Sequence, residues 1–251
     1  MKSIKKIIAF VLVLSMVFAF ASCGESANKY VIYSDNSFAP FEFFDKEKSA
    51  YIGVDMDILA AIAEDQGFEY EMRNEGFDAA MGAVQAGQGD AMIAGMTIND
   101  ERKKTFDFSE GYFEDGSILV TAVDSAIKSE ADLKGKMIAA KKGTVSTTYA
   151  ESIKDKYGFT ISYFEGSPEM YQAVINGNAV ACFEDFSVIG WAIKNDNVKL
   201  KTVGNVVNPA SYGFATKKGN KAELIEMFNK GLANIKANGK YNEILKKYGY
   251  A

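Results

Sequence analysis

Residues 51–72 read YIGVDMDILAAIAEDQGFEYEM, in which a short β-rich run, a helical run and a second β-rich run follow one another. Apolar residues recur at helical spacing from Met56 to Glu64, and Gly67 supplies a helix stop. The strand-forming residues Phe68 to Met72 come directly afterwards. A strand, helix, strand unit of this kind is the building block of α/β folds.

The same alternation continues along the rest of the chain. Further strands are predicted at 30–33, 91–94, 117–123, 136–140, 160–164 and 179–183, and further helices at 77–86, 146–157, 168–176, 223–238 and 240–248. This order predicts an α/β fold with largely parallel sheets. Only 3 prolines are present, too few to mark a flexible linker, so two lobes would be joined by crossing strands.

The composition excludes several functional classes. The chain has 251 residues, of which 48% are hydrophobic and 24% charged, as expected for a globular protein with one large or two modest domains. Histidine is absent. Its absence removes the Ser/His and Cys/His nucleophile pairs, the imidazole base and every histidine-containing metal site. We therefore expect no metal and no cofactor.

The N-terminus has the pattern of an export signal. Lys2, Lys5 and Lys6 precede an apolar run at 7–21, and small residues surround Cys23. A transmembrane anchor is the alternative, but 15 residues at a rise of about 1.5 Å are too short for a bilayer core. The stretch ending at Cys23 resembles a bacterial lipobox, which implies that residues 1–22 are removed and that Cys23 carries the lipid.

The net charge argues against nucleic-acid binding. Residues 1–22 contain three lysines and no acid, so their removal changes the formal charge from -5 by -3, to -8. The basic residues are scattered, whereas nucleic acids and anionic membranes need them clustered. Cys182 lies in an apolar run and has no second cysteine once Cys23 is lipidated, so we interpret it as a small buried side chain.

A first candidate site surrounds Arg102. Residues 95–97 follow a predicted strand, and ligands of open α/β sheets bind at the carboxyl ends of strands. Asn99 can cap the next short helix, which would place Arg102 near that sheet edge, where its fork suits a carboxylate. A solvated Arg102 among acids and lysines is an equally good interpretation of these residues alone.

Two further candidates follow other strands. Residues 141–146, KKGTVS, form a glycine turn entering a helix, whose free N–H groups can hold an anion or simply reverse the chain. Glu184 and Asp185 follow a buried strand and can pair with an ammonium group, or cap the helix after them.

These placements coincide with a known pattern. The chain resembles, from about Tyr30 to Tyr248, the bacterial extracellular solute-binding proteins of family 3, which bind polar amino acids for ABC importers. The resemblance is carried by Asp35, FAPFEF at 38–43, GVDMD at 53–57, FD at 77–78, GMTINDER at 95–102, FDFSEGYF at 106–113 and YGFA at 212–215.

The resemblance implies a role for each candidate. Arg102, Thr97 and the N–H groups near Thr144 and Val145 match the clamp for the ligand α-carboxylate. Asp185, with the carbonyl of Gly95 and the hydroxyl of Thr97, matches the site for the ligand α-ammonium group. Phe38 and Phe77 match the aromatic walls around the ligand side chain. Asp35, Lys141 and Glu184 fall where selectivity for the ligand side chain is set. The full set of implied ligand-binding residues is Asp35, Phe38, Phe77, Gly95, Met96, Thr97, Arg102, Lys141, Thr144, Val145, Glu184 and Asp185.

The resemblance also implies the architecture: an α/β fold of the periplasmic-binding-protein-like type II, with two lobes of mixed sheets joined by two crossing strands. We expect lobe one at 24–111 plus 213–251, lobe two at 117–207, and hinge strands at 112–116 and 208–212. Closure on an amino acid needs no covalent step. A dehydratase and the sensory domain of a receptor are the alternative functions. The dehydratase is disfavoured because Arg102 and Asp185 would hold a zwitterion without placing a base at a scissile bond.

The expected partners follow from the same resemblance. They are a free amino acid, the permease subunits of an ABC transporter and the outer face of the cell membrane through Cys23, with the protein itself a monomer. Asp35 and Glu184 would favour a cationic ligand side chain, whereas Lys141 in the same pocket would oppose it. If Lys141 points into the pocket we expect glutamine first and arginine or lysine second; if it faces solvent, the order reverses.

Overall fold

The computed structural model describes residues 29–250, so the predicted signal at 1–22 and Cys23 lie outside the described residues. Within that range the chain forms two five-stranded sheets, one three-stranded sheet and seven α-helices. We call the parts built on the first and second five-stranded sheets lobe one and lobe two.

Lobe one is built on a sheet of strand order β5-β1-β6-β13-β7. Strand β1 pairs in parallel with β5 and with the central strand β6, and β13 pairs antiparallel with β6 and β7. The strands are β1 (Tyr30–Asp35), β5 (Tyr70–Glu75), β6 (Ala91–Met92), β7 (Phe106–Phe108) and β13 (Ala215–Lys217), and the helices are α1 (Val54–Gln66), α2 (Phe77–Ala86), α6 (Ala222–Ala237) and α7 (Lys240–Lys247).

Lobe two is built on a sheet of strand order β10-β9-β11-β8-β12. Strands β9, β10 and β11 run parallel, while β8 pairs antiparallel with both β11 and β12. The strands are β8 (Phe113–Ala122), β9 (Met137–Lys141), β10 (Thr160–Phe164), β11 (Ala181–Asp185) and β12 (Leu200–Tyr212), and the helices are α3 (Val145–Tyr157), α4 (Ser167–Ile175) and α5 (Phe186–Asn195).

The sheets are mixed, as the resemblance implied, rather than largely parallel as the alternation alone predicted. The antiparallel pairs involve β8 and β12, which cross between the lobes, and β13, which follows β12. A local sequence pattern cannot predict which sheet such strands join. A small antiparallel sheet of β2 (Ser37–Phe38), β3 (Glu42–Asp45) and β4 (Ala50–Ile52) precedes the first helix, and β4 overlaps the β-rich run that begins residues 51–72.

The two lobes are joined where β8 begins and β12 ends. Phe113 pairs with Tyr212 and Asp115 pairs with Ala210, so the crossing strands run side by side. This pairing lies at the positions expected for the hinge.

Three helices end at a glycine, among them the helix whose stop was predicted at Gly67. Gly67, Gly87 and Gly158 each adopt a positive φ just after a helix, at 71°, 80° and 69°. This left-handed conformation favours glycine because it has no Cβ. An apolar cluster that includes Ile58 and Phe228 fills lobe one and takes in Val188 of α5, and a second cluster that includes Val120 and Cys182 is buried in lobe two. Cys182 is a free buried thiol, as predicted.

None of the helices within residues 29–250 is long and apolar enough to cross a membrane.

Candidate functional site

A small cavity of about 10 Å³ lies between the lobes, at the carboxyl ends of strands from both sheets. Side chains of both signs surround it. Ten of the twelve predicted ligand-binding residues line it, together with Ala94: Phe38, Phe77, Gly95, Thr97, Arg102, Lys141, Thr144, Val145, Glu184 and Asp185. The structure therefore brings the three separate candidate segments to one place.

Arg102 enters the cavity from lobe one. It begins a short 3-10 turn at 102–104, and the side chain of Asn99 caps this turn by accepting from the Arg102 N–H at 2.8 Å. The guanidinium, only 9% exposed, donates to the carbonyls of Thr97 at 2.8 Å and Gly143 at 3.0 Å. It stands over the Phe77 ring, 5.2 Å from its centroid. Burial lowers the pKa of Arg102 to about 10, so it remains a cation at neutral pH.

The turn at Gly143 faces Arg102 from lobe two. Thr144 is the N-cap of α3, and its Oγ1 accepts from the N–H of Thr147 at 3.1 Å. The earlier N–H groups of the first turn have no partner within the helix, and the helix dipole is positive there. Arg102 and this helix end form an electropositive corner that suits a carboxylate.

Asp185 forms the opposite corner. It is the last residue of β11, and its carboxylate accepts from the hydroxyls of Ser146, at 3.0 Å, and Tyr212. Ser117 in turn holds Ser146 with a 2.6 Å hydrogen bond between their hydroxyl oxygens. Burial raises the pKa of Asp185, with Arg102 and Lys141 among the groups that oppose this change. A buried carboxylate fixed in this way can receive an ammonium group.

Lys141 lies inside the cleft and not in solvent. Its side chain is 2% exposed and forms an ion pair with Asp35, which is fully buried. Burial opposes the positive charge, but Asp35 and then Glu184 outweigh it, and the pKa of Lys141 is raised. Nζ also stands 4.6 Å from the centroid of the Phe38 ring. The negative charge of Asp35 is thus already compensated by a residue of the other lobe.

Glu184 is the second acid near Lys141. It is 2% exposed and accepts from the Tyr171 hydroxyl at 2.9 Å and from the N–H of Asp185 at 2.9 Å. Burial, followed by repulsion from Asp185, raises the pKa of Glu184 to about 7. At neutral pH its carboxyl is therefore partly protonated and can both donate and accept hydrogen bonds.

Asp35 and Met96 do not line the cavity. Asp35 lies behind Lys141, and its Oδ1 accepts from the N–H groups of Asn36 at 2.6 Å and Ser37 at 3.2 Å. Met96 is fully buried against Phe77 in the core of lobe one, and its carbonyl accepts from the Gly213 N–H at 2.9 Å. Both residues support the site from outside.

Several residues that hold the site had no role assigned from the sequence. Tyr212, Tyr171 and Ser146 orient the acidic side chains through their hydroxyls. Asp55, at the start of α1, accepts from the N–H of Gly95 and from the hydroxyl of Tyr112, both at 2.7 Å. The only signal in the sequence was that Asp55 and Tyr212 stand within quoted motifs.

The lobes contact each other across the cleft. Arg102 of lobe one donates to Gly143 of lobe two, and Lys141 of lobe two pairs with Asp35 of lobe one. Gly143 has a φ of 73°, and a Cβ there would lie 2.8 Å from Oδ1 of Asp78 in lobe one. These contacts describe a closed cleft that leaves little free space.

Among residues 29–250, no group of three or more Asp, Glu, Cys or His side chains is arranged to hold a metal ion.

Comparison with known proteins agrees with this geometry. The family described as bacterial extracellular solute-binding proteins, family 3, matches residues 30–251. The arginine-binding extracellular protein ArtP of Bacillus subtilis is 28% identical over 97% of this chain and 98% of its own length. The glutamine-binding protein GlnH of an ABC transporter in the same organism is 35% identical over 78% of this chain and 72% of its own length.

A solved structure has the same fold. An ancestral arginine-binding protein bound to glutamine superposes with a TM-score of 0.81 at 34% identity, covering 88% of this chain and 98% of that chain.

Proposed function

The chain belongs to the bacterial extracellular solute-binding proteins, family 3, and from that premise we propose that it captures L-glutamine between its lobes and delivers it to the permease of an ABC importer. The chain is an amino-acid-binding protein of the kind that serves ABC importers, and it is not an enzyme. The choice of glutamine goes further than family membership. It rests on the side chains around the cleft.

Both ends of an amino acid backbone have matched partners. The α-carboxylate would lie between the Arg102 guanidinium and the N–H groups at the start of α3, near Thr144 and Val145. The α-ammonium would lie against the Asp185 carboxylate, the Thr97 hydroxyl and the Gly95 carbonyl. A zwitterion taken out of water loses several kcal/mol unless each charge is paired, and this arrangement pairs both.

The burial of Lys141 on Asp35 is the observation that carries the choice of glutamine. Because Lys141 compensates Asp35, a cationic ligand side chain gains no net attraction from that pair. Glu184, with its pKa near 7, adds only part of a negative charge. An amide has donors for the acids and an acceptor for the Lys141 ammonium, so glutamine satisfies all three groups without adding charge.

Arginine or lysine is the second candidate. The ionised fraction of Glu184 favours a cation, and among the relatives ArtP is described as arginine-binding. The Lys141 ammonium, 4.6 Å from the Phe38 ring centroid, opposes a cation stacked on that ring. We therefore place the cationic amino acids second.

Ligand binding would act through the closure of the lobes. The carboxylate partners come from both lobes, and Asp185 in lobe two complements Gly95 and Thr97 in lobe one, so a bound amino acid bridges the cleft. A ligand that contacts both lobes binds the closed state more tightly and shifts the population towards it. We place the hinge in the paired strands at 112–116 and 208–212, with lobe one at 24–111 plus 213–251 and lobe two at 117–207.

The family is extracellular, so the protein is exported. We propose that residues 1–22 are the signal peptide, that Cys23 carries a lipid anchor on the outer face of the membrane, and that the protein works as a monomer. The lipobox resemblance ending at Cys23 supports the anchor.

Calorimetric titration of the lipid-free protein with glutamine, arginine, lysine and glutamate tests the choice of ligand. We expect the tightest binding for glutamine and weaker binding for arginine and lysine. Micromolar arginine binding without glutamine binding would reverse the first choice. Tight glutamate binding with neither of the others would refute both choices while leaving the family assignment intact.

A further inference from the structure

Helix α5 starts directly after Asp185, but Asp185 does not cap it. Asp185 is the N-cap residue, and its side chain makes no capping hydrogen bond. An aspartate at this position normally turns its carboxylate onto the N–H of the second or third helical residue. Here the carboxylate points to Ser146 and Tyr212 in the cleft instead.

A carboxylate from another strand takes over the capping. The N–H of Ser187, the second residue of α5, donates to both oxygens of Asp115, at 3.2 Å to Oδ2 and 3.4 Å to Oδ1. Asp115 lies near the start of the crossing strand β8 and also accepts from the N–H of Gly116 at 2.8 Å. The N–H of Ser187 is therefore satisfied without Asp185.

Asp115 and Asp185 also share the hydroxyl of Tyr212. The Tyr212 oxygen lies 3.1 Å from Oδ2 of Asp115 and is hydrogen-bonded to Asp185 as well. Tyr212 is itself the last residue of the second crossing strand, β12. Asp115 thus contacts both the helix end behind Asp185 and the hydroxyl that orients it.

We propose that Asp115 is a positioning residue for the ligand ammonium site, because it caps α5 in place of Asp185 and leaves the Asp185 carboxylate free to face the cleft. This inference rests on the proposed function, in which Asp185 receives the α-ammonium group. Without Asp115 the N–H of Ser187 has no acceptor, and Asp185, two residues earlier, is the nearest N-cap carboxylate that can rotate onto it. The ligand ammonium would then lose its partner.

Two ligands separate this role from a general structural one. L-glutamine and 2-hydroxyglutaramate differ only in the ammonium group, which is a hydroxyl in the second. We expect Asp115→Ala to weaken glutamine binding about 10- to 100-fold, as for the loss of a charged hydrogen bond, and to leave binding of the hydroxy analogue within about 3-fold. Asp115→Asn, whose amide oxygen is as good a cap, should restore glutamine binding.

The controls use neighbouring acids. Glu114 is the adjacent exposed residue on the same strand, bonded to Ser211, and Glu114→Gln should change neither ligand's affinity. Asp185→Asn tests the proposed function itself, and an unchanged glutamine affinity there would remove the ammonium site. If Asp185→Asn weakens glutamine but Asp115→Ala weakens both ligands equally, or neither, the positioning role is wrong while the function stands.

A measurement on the folded conservative variants covers the case in which Asp115→Ala does not fold. The NMR signal of the Ser187 backbone N–H should move in Asp115→Asn, since its acceptor changes from a carboxylate to an amide, and should move far less in Asp185→Asn. The reverse pattern would show that Asp185 caps the helix and would overturn the proposal.

Discussion

Replacing Lys141 with Met should shift the ligand preference from glutamine towards arginine. The Lys141 Nζ lies 4.6 Å from the centroid of the Phe38 ring, the wall on which we place the ligand side chain. A ligand cation stacked there would lie about 5 Å from Nζ and, at an effective dielectric constant of about 20, would be repelled by about 3 kcal/mol. Removing that repulsion should raise the ratio of arginine to glutamine affinity by roughly 100-fold.

The assay is calorimetric titration of both amino acids at pH 7 into the wild type, Lys141→Met and Lys142→Met. Lys142 is the matched control, since it is the adjacent lysine but pairs with Glu165 at the exposed surface.

Lys141→Met leaves the Asp35 carboxylate buried without its cation, which should lower the free energy of unfolding by about 3–5 kcal/mol. The double variant Lys141→Met, Asp35→Asn removes both charges and should recover much of that stability. Because the Lys141 ammonium is absent from it as well, its arginine-to-glutamine ratio should stay above that of the wild type.

The reasoning is refuted if the arginine-to-glutamine ratio of Lys141→Met stays within about threefold of the wild type while Lys142→Met behaves the same. That result would mean that Lys141 does not act on the ligand side chain. A ratio that rises equally in both variants would indicate a long-range effect of net charge, not a pocket effect.

Three further predictions concern other parts of the molecule. Arg102→Ala should keep the fold, seen by circular dichroism, and weaken amino acid binding by about 2–5 kcal/mol; unchanged calorimetric affinity would exclude Arg102 from the site. Cys23→Ser should release the protein from the membrane fraction with ligand binding intact, and retention after detergent-free washing would contradict the lipobox interpretation. Burial, followed by repulsion from Asp55, raises the pKa of Glu42 well above its usual value. The folded state therefore favours the protonated carboxyl, and the free energy of unfolding, which has its full Glu42 contribution near pH 4, should fall as pH rises through that pKa. Urea unfolding from pH 5 to 9 should show this loss in the wild type and a flatter profile in Glu42→Gln, and parallel profiles would exclude Glu42 as the source.

Much of the fold could be predicted because its signals are local. Helix α2 begins and ends where the 77–86 pattern placed it, and β10 coincides with 160–164, since glycine stops and apolar periodicity act within a few residues. The assignment of β8, β12 and β13 to antiparallel positions depends on pairings between residues that are 60 to 125 positions apart in the sequence. A local pattern carries no information about such pairings.

The candidate site shows the same difference between features with local sequence signals and features that depend on long-range contacts. The sequence predicted Arg102, Thr144 and Asp185 as binding residues because each was placed near the carboxyl end of a strand, and all three line the cavity. The inward direction of Lys141 depends on contact with Asp35 of the other lobe, and the sequence left both directions open. The capping of α5 by Asp115 was missed because donor and acceptor are 72 residues apart.

The discontinuity of lobe one has a consequence for the order in which the chain can fold. Strand β13 lies between β6 and β7 and is the only strand that joins β7 to that sheet among the described residues. It is made of residues 215–217, after every strand of lobe two. A chain that emerges from its N-terminus can therefore complete the sheet of lobe two, whose last strand ends at Tyr212, before β13 arrives to join β7 to the sheet of lobe one.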